Sequence, residues 1–96
     1  MENLNQNTVE FKTEILNEII TDFSKKNLKT LKLEQTKLNY LCINYDPYDA
    51  LEKPTEVENI IKEYKLEPFT SNPFEFTNVV LQILNRLEQE IKLKQN

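Results

Sequence analysis

The chain contains no glycine, no histidine and no tryptophan, and it has a single cysteine. Each absence closes off a class of structure or chemistry. Hairpins with two-residue loops need positive φ, normally from Gly or from Asn beside Gly, so a glycine-free chain is poorly suited to a β-rich fold. The same lack removes the usual left-handed residue for ending helices and leaves Asn and Pro to do that work. Without histidine the commonest general base and metal ligand is missing, and Cys42 has no imidazole to activate it. No glycine-rich loop is present to approach a phosphate. Cys42 stands in the apolar run Leu41-Cys42-Ile43, which reads as a buried small hydrophobe rather than a reactive thiol.

Long apolar runs are also missing. No segment approaches the ~18 consecutive apolar residues of a membrane span, and Met-Glu-Asn-Leu-Asn-Gln-Asn at the start lacks a basic region followed by an apolar run. A cytoplasmic protein without a membrane partner is therefore expected. Ninety-six residues suit one domain, which buries roughly 60–65% of its unfolded surface. Hydrophobic content of 39% with 29% charged residues is ordinary for a globular domain and too apolar for a disordered one.

What is present is helical periodicity. Residues 1–7 are polar and expected to fray, leaving a single helical domain over 8–96. From Thr8, a potential N-cap, Phe11, Ile15, Ile19 and Phe23 recur every four residues, with Leu16 and Ile20 widening the stripe. Ser24-Lys25-Lys26-Asn27 ends this helix, the lysines suiting its negative pole and Asn tolerating the left-handed region. A second helix is expected from about Leu28 to Tyr45, with Leu31, Leu38 and Tyr45 seven apart and Leu28, Leu41 and Cys42 filling in. Leu33 is out of phase. Leu28 to Leu33 also alternates like a strand, but no partner strand is visible.

The helical pattern breaks at Asn44 to Pro54, which holds two of the four prolines and two of the four tyrosines. Pro47 cannot sit inside a helix, and it pushes Asp46 toward extended geometry. Beyond the break, Thr55 followed by Glu58 reads as a capping box, and Val57, Ile60, Ile61 and Tyr64 define a short third helix ending near Leu66. Asn72-Pro73-Phe74-Glu75 opens the last helix with a cap, a first-turn proline and an acid. Its stripe is Phe76, Val80, Ile83, Leu87 and Ile91, widened by Val79 and Leu84, and it is expected to reach about Leu93. The pattern predicts an all-α fold: a compact four-helix arrangement with an Asp-Pro break between helices 2 and 3.

Charge is unevenly distributed. The net charge of −4 comprises zero for residues 1–45, −5 for 46–75 and +1 for 76–96. The acidic middle would repel nucleic-acid phosphates and could steer a basic partner. The better reading of Glu56, Glu58, Glu63 and Glu67 is nevertheless the solvated side of a surface helix. Lys25, Lys26, Lys29 and Lys32 lack Arg and interleaved aromatics and read as a solvated helix face. Asp46, Asp49 and Glu52 could in principle hold a hard cation, yet an EF-hand loop needs a glycine and further acids at fixed spacing. Asp46 and Asp49 are better read as turn caps. Tyr45 falls in the core phase, whereas Tyr48 has no such pattern and is the better candidate for an exposed anchor.

At Tyr45-Asp46-Pro47, followed by Glu56-Val57 and Ile60-Ile61, the chain resembles the small bacterial YugE-like helical domains, over about residues 36–87. In those an aromatic-Asp-Pro break separates a long helix from a short acidic one. The resemblance implies a helical fold and no established activity. In general type the chain is also similar to nuclease-colicin immunity proteins, which are small acidic four-helix inhibitors, although their paired-tyrosine motif after Gly-Ser is absent here.

The expected function is that of a non-catalytic domain, without cofactor or metal, that binds another protein. One concrete form is an immunity- or antitoxin-like inhibitor of a basic partner. The expected contacts are Asp46, Tyr48, Asp49, Glu52, Glu56 and Glu63, with carboxylates for steering and Tyr48 as anchor. The alternative is a self-associating structural or regulatory module that dimerises through the last helix, with Phe74 and Phe76 in the interface.

Overall fold

Apolar residues spaced three and four apart wind into helices whose one face is hidden from water, and four such segments occur among the described residues. The computed structural model describes residues 9–48 and 53–95. The helices are α1 (Val9–Phe23), α2 (Leu28–Asn44), α3 (Thr55–Glu63) and α4 (Pro73–Gln95), with a 3₁₀ turn at Glu67–Phe69. No strand occurs among the described residues, and Leu28 to Leu33 is helical. None of these helices is long and apolar enough to cross a membrane. Thr8 and the 1–7 segment expected to fray lie outside the described residues.

The longest helix, α4, is the common partner. It packs against α1, α2 and the 3₁₀ turn, and α3 packs on α2. The interior is one apolar cluster. It takes Ile15 and Phe23 from α1, Leu31, Leu38 and Leu41 from α2, and Tyr45 from the residue that caps α2. Val57, Ile60 and Ile61 enter from α3, Tyr64 from its C-cap, and Phe76, Val79, Val80, Ile83, Leu87 and Ile91 from α4. Tyr45 meets Phe76 edge to face with ring centroids 5.1 Å apart, which ties the end of α2 to α4. The radius of gyration, 13.9 Å, is near the ~12.5 Å expected for a single globule of this length.

Three helix ends differ from expectation, each for a local reason. Asn27 starts α2 instead of ending α1. Its backbone is extended and its Oδ1 accepts a 2.8 Å hydrogen bond from the Thr30 amide. Thr55 does not form the capping box with Glu58. The Glu58 amide donates to the Pro54 carbonyl, so Pro54 holds the cap position and Thr55 is already inside the helix.

The end of α3 is the third case. The helix stops at Glu63, and Lys65 takes the left-handed conformation with φ 58°. The Leu66 amide then donates to the Ile61 carbonyl and the Lys65 amide to Lys62, which is the Schellman pattern. Leu66 and Ile61, its two apolar members, are both buried. Lysine thus fills the position that glycine or asparagine usually occupies. The reversal turns the chain into the 3₁₀ turn, which buries Phe69.

The start of α4 follows expectation. Asn72 Oδ1 accepts from the Glu75 amide at 3.1 Å, and Pro73 is the first helical residue. Between α2 and α3 the Asp-Pro break behaves as a turn. Asp46 Oδ1 accepts a 2.9 Å hydrogen bond from the Tyr48 amide, spanning Pro47. Ion pairs brace the helices from outside: Lys12 of α1 with Glu75 of α4 at 2.7 Å, and Lys37 of α2 with Glu63 of α3 at 3.2 Å.

Candidate functional site

The Asp-Pro turn leaves Tyr48 standing outward, 62% exposed, because α2 has ended and its core phase with it. The Tyr48 ring meets Phe74 edge-on, with centroids 5.8 Å apart and planes at 90°. Phe74 belongs to the first turn of α4 and is itself 71% exposed. Two large aromatic rings therefore touch each other while most of their surface faces water. Such a pair is unusual in a protein that has a core available, because each ring offers a large apolar area.

Beside this pair a groove runs between the end of α2 and α4, lined by Cys42, Tyr45 and Pro47 on one side and Phe76, Thr77 and Leu81 on the other. Phe74, Thr77 and Leu81 are three and four residues apart, so they share one face of α4. None of these groove residues carries a charge. Lys53 Nζ stands over the Tyr45 ring, 5.7 Å from its centroid.

Cys42 is exposed at the groove, not buried as its apolar neighbours suggested. Leu41 and, at the end of α2, Tyr45 take the core positions, and one residue of helix turns the Cys42 side chain about 100° away from Leu41. Burial of the sulfur's surroundings pushes the thiol up, away from the thiolate. The two phenylalanines expected at a dimer interface also part company. Phe76 is buried in the chain's own core and unavailable, whereas Phe74 is exposed.

Asp46 is exposed beside Tyr48, with one carboxylate oxygen engaged in the turn. Glu56 is exposed at the start of α3 and accepts a 3.2 Å hydrogen bond from the Tyr40 hydroxyl. Glu63 lies seven residues on, about 10 Å along the same flank, paired with Lys37. Asp46 and Tyr48 thus come together with Phe74, while Glu56 and Glu63 stand along α3 against α2. Asp49 and Glu52 lie outside the described residues.

A second polar constellation has no counterpart in the expectations above. Glu34 is only 5% exposed, the one acid in the described interior. Its Oε1 accepts a 2.7 Å hydrogen bond from the Tyr64 hydroxyl, and its Oε2 accepts one from Lys26 Nζ. Burial, followed by this hydrogen bond and the charges of Glu34 and Glu63, pushes the Tyr64 phenol far above its ordinary value. The signal was in the spacing. Glu34 falls in the same three-and-four register as Leu31, Leu38, Leu41 and Tyr45, so its position required a buried carboxylate or a break in the stripe. Among the described residues no group of three or more His, Cys, Asp and Glu is arranged to hold a metal ion.

Comparison with protein-family models, curated proteins and solved structures finds no match for this chain.

Proposed function

We propose that this is a non-catalytic domain that works by binding another protein through the corner where α2, the Asp-Pro turn and the start of α4 meet. The observation that carries this reading is the Tyr48–Phe74 pair, edge to face and largely exposed beside an uncharged groove. Tyrosine and phenylalanine at such a corner supply the area and rigidity of an interface anchor. Asp46 beside the pair, and Glu56 farther along, add negative charge that favours a basic partner and discourages nucleic acid. An inhibitor of a basic protein, of immunity or antitoxin type, is the concrete form we favour. A binding role without chemistry fits a chain that lacks histidine and so has no imidazole to activate its single thiol.

Affinity capture from the source cell tests it. The intact chain should retain a partner that a Tyr48→Ala, Phe74→Ala double variant releases, with both chains equally helical by circular dichroism. Retention by both would overturn the assignment of this corner.

A second reading, self-association, is favoured by the neutrality of the same groove. A surface without charge is compatible with a copy of itself in a way that an acidic face is not. Phe74 and Leu81 would then anchor the contact. Sedimentation at high protein concentration separates the two readings, since a strict monomer removes the second.

A further inference from the structure

A different face of the molecule carries a longer groove, between α1 and the corner formed by the end of α3 and the 3₁₀ turn. It has two lobes, of about 210 and about 490 Å³, joined at Ile15, Glu18 and Lys65. It shares no lining residue with the groove beside Tyr48 and Phe74. Beneath it lie the buried Ile15, Phe23 and Tyr64, and the apolar surface it offers comes from Ile19 of α1 and Pro68 opposite. Ile19 and Pro68 are only half-buried, so the floor remains partly open to water.

The rims are acidic. Glu14, Glu18 and Asp22 follow one another at four-residue spacing along the α1 edge, about 6 Å apart and spanning about 12 Å. Glu63 and Glu67 stand on the far side. Five carboxylates thus face the groove against two lysines, Lys26 and Lys65. Lys26 is committed to Glu34 and Glu63 to Lys37. Among the described residues Glu14, Glu18, Asp22 and Glu67 have no cationic partner, and all are exposed. Glu10 extends the α1 column by another turn, and each like-charged neighbour at this spacing opposes the helix that displays it.

We infer that this groove receives a basic amphipathic helix from another protein. The apolar floor takes its apolar stripe, and lysines or arginines three and four residues apart on either flank reach the carboxylates of the two rims. The regular spacing along α1 matches the rise of a helix lying beside it, and the occupant's cations relieve the repulsion within the Glu10–Asp22 column. Residues 1–8 of this chain contain no lysine or arginine, so they cannot supply that match.

The probe is a synthetic peptide of about 14 leucines and lysines patterned as an amphipathic helix, with a second peptide carrying glutamate in place of lysine. Fluorescence anisotropy at low salt should show binding of the first peptide only. Amide chemical shifts should move along α1 and residues 63–68. Glu14→Gln with Glu18→Gln should weaken binding by about tenfold. Glu88→Gln with Glu90→Gln, which removes the same charge from α4, should change it less than about threefold. Ile19→Ser should weaken binding with the charges intact. No binding, equal weakening by the two charge pairs, or shifts confined to other faces would each overturn the inference.

Discussion

The hydroxyl of Tyr64 donates a 2.7 Å hydrogen bond to Glu34 Oε1, joining the end of α3 to the middle of α2 across thirty residues of sequence. The carboxylate is buried, so the phenol replaces water that folding removed, and Lys26 supplies the compensating charge. A buried acid held in this way is expensive to half-satisfy.

Removing the phenol should therefore cost more than its few atoms suggest. Tyr64→Phe keeps the ring in the core and leaves Glu34 with Lys26 alone. Urea unfolding should show a loss of about 1–3 kcal/mol. In a double-mutant cycle with Glu34→Gln the two losses should be non-additive. Additive losses would mean that the hydrogen bond contributes nothing.

The same bond sets a limit at high pH. Burial and the Glu34 contact raise the Tyr64 pKa in the folded chain well above the ordinary value near 10. Above about pH 10 the unfolded chain releases this proton while the folded chain keeps it, so the unfolded state binds fewer protons and stability falls as pH rises. The urea midpoint should be flat in this respect below pH 10 and decline above it. Tyr64→Phe should decline less steeply. Tyr45, also raised by burial and then by Asp46, acts in the same direction and should account for part of the remainder.

Lys65 should be improved by the residue this chain never uses. Its left-handed backbone, φ 58°, places a Cβ where glycine has none. Lys65→Gly should raise stability by about 0.5–1 kcal/mol, whereas Lys65→Val should lower it. A glycine variant that is less stable than the parent would show that the lysine side chain compensates locally.

Phe74 and Phe76 are two positions apart and should behave oppositely. Phe74 lies on the surface against Tyr48, so Phe74→Ala should shift stability by no more than about 0.5 kcal/mol. Phe76 packs on Tyr45 within the core, and Phe76→Ala should cost about 3–5 kcal/mol. Thermal or urea unfolding of the two single variants measures both. Equal losses would contradict the division between surface anchor and core drawn here.

The helices were legible because their apolar residues keep a single period: Leu31, Leu38 and Tyr45, or Phe76, Val80, Ile83 and Leu87, could face a core in no other conformation. The Asn72-Pro73 start and the Asp46 turn were equally readable, since both depend on side chains next to the backbone they cap. Cys42 was misplaced because an apolar neighbourhood in sequence is not a neighbourhood in space. Thr55 was misread because Pro54 advanced the helix by one residue. Tyr48 could be singled out as unexplained by the core. Its contact with Phe74 could not, because it depends on how α4 returns to the Asp-Pro turn. The α1 groove has the same origin. Its acids were visible one by one, but the floor beneath them exists only once the end of α3 has turned back at Lys65.

The position of α4 in the chain has a consequence for how the molecule comes into being. It follows the other three helices, yet it is the surface against which α1 and α2 bury their apolar faces. During synthesis at about 5–20 residues per second, Leu31, Leu38 and Ile15 are made well before Ile83 and Leu87 arrive to cover them. Before α4 is made, α3 can pack on α2, but the faces that α1 and α2 turn to α4 lack their partner. A chain stopped before Pro73 should therefore leave these side chains uncovered and be cut by protease more readily than one that runs through α4.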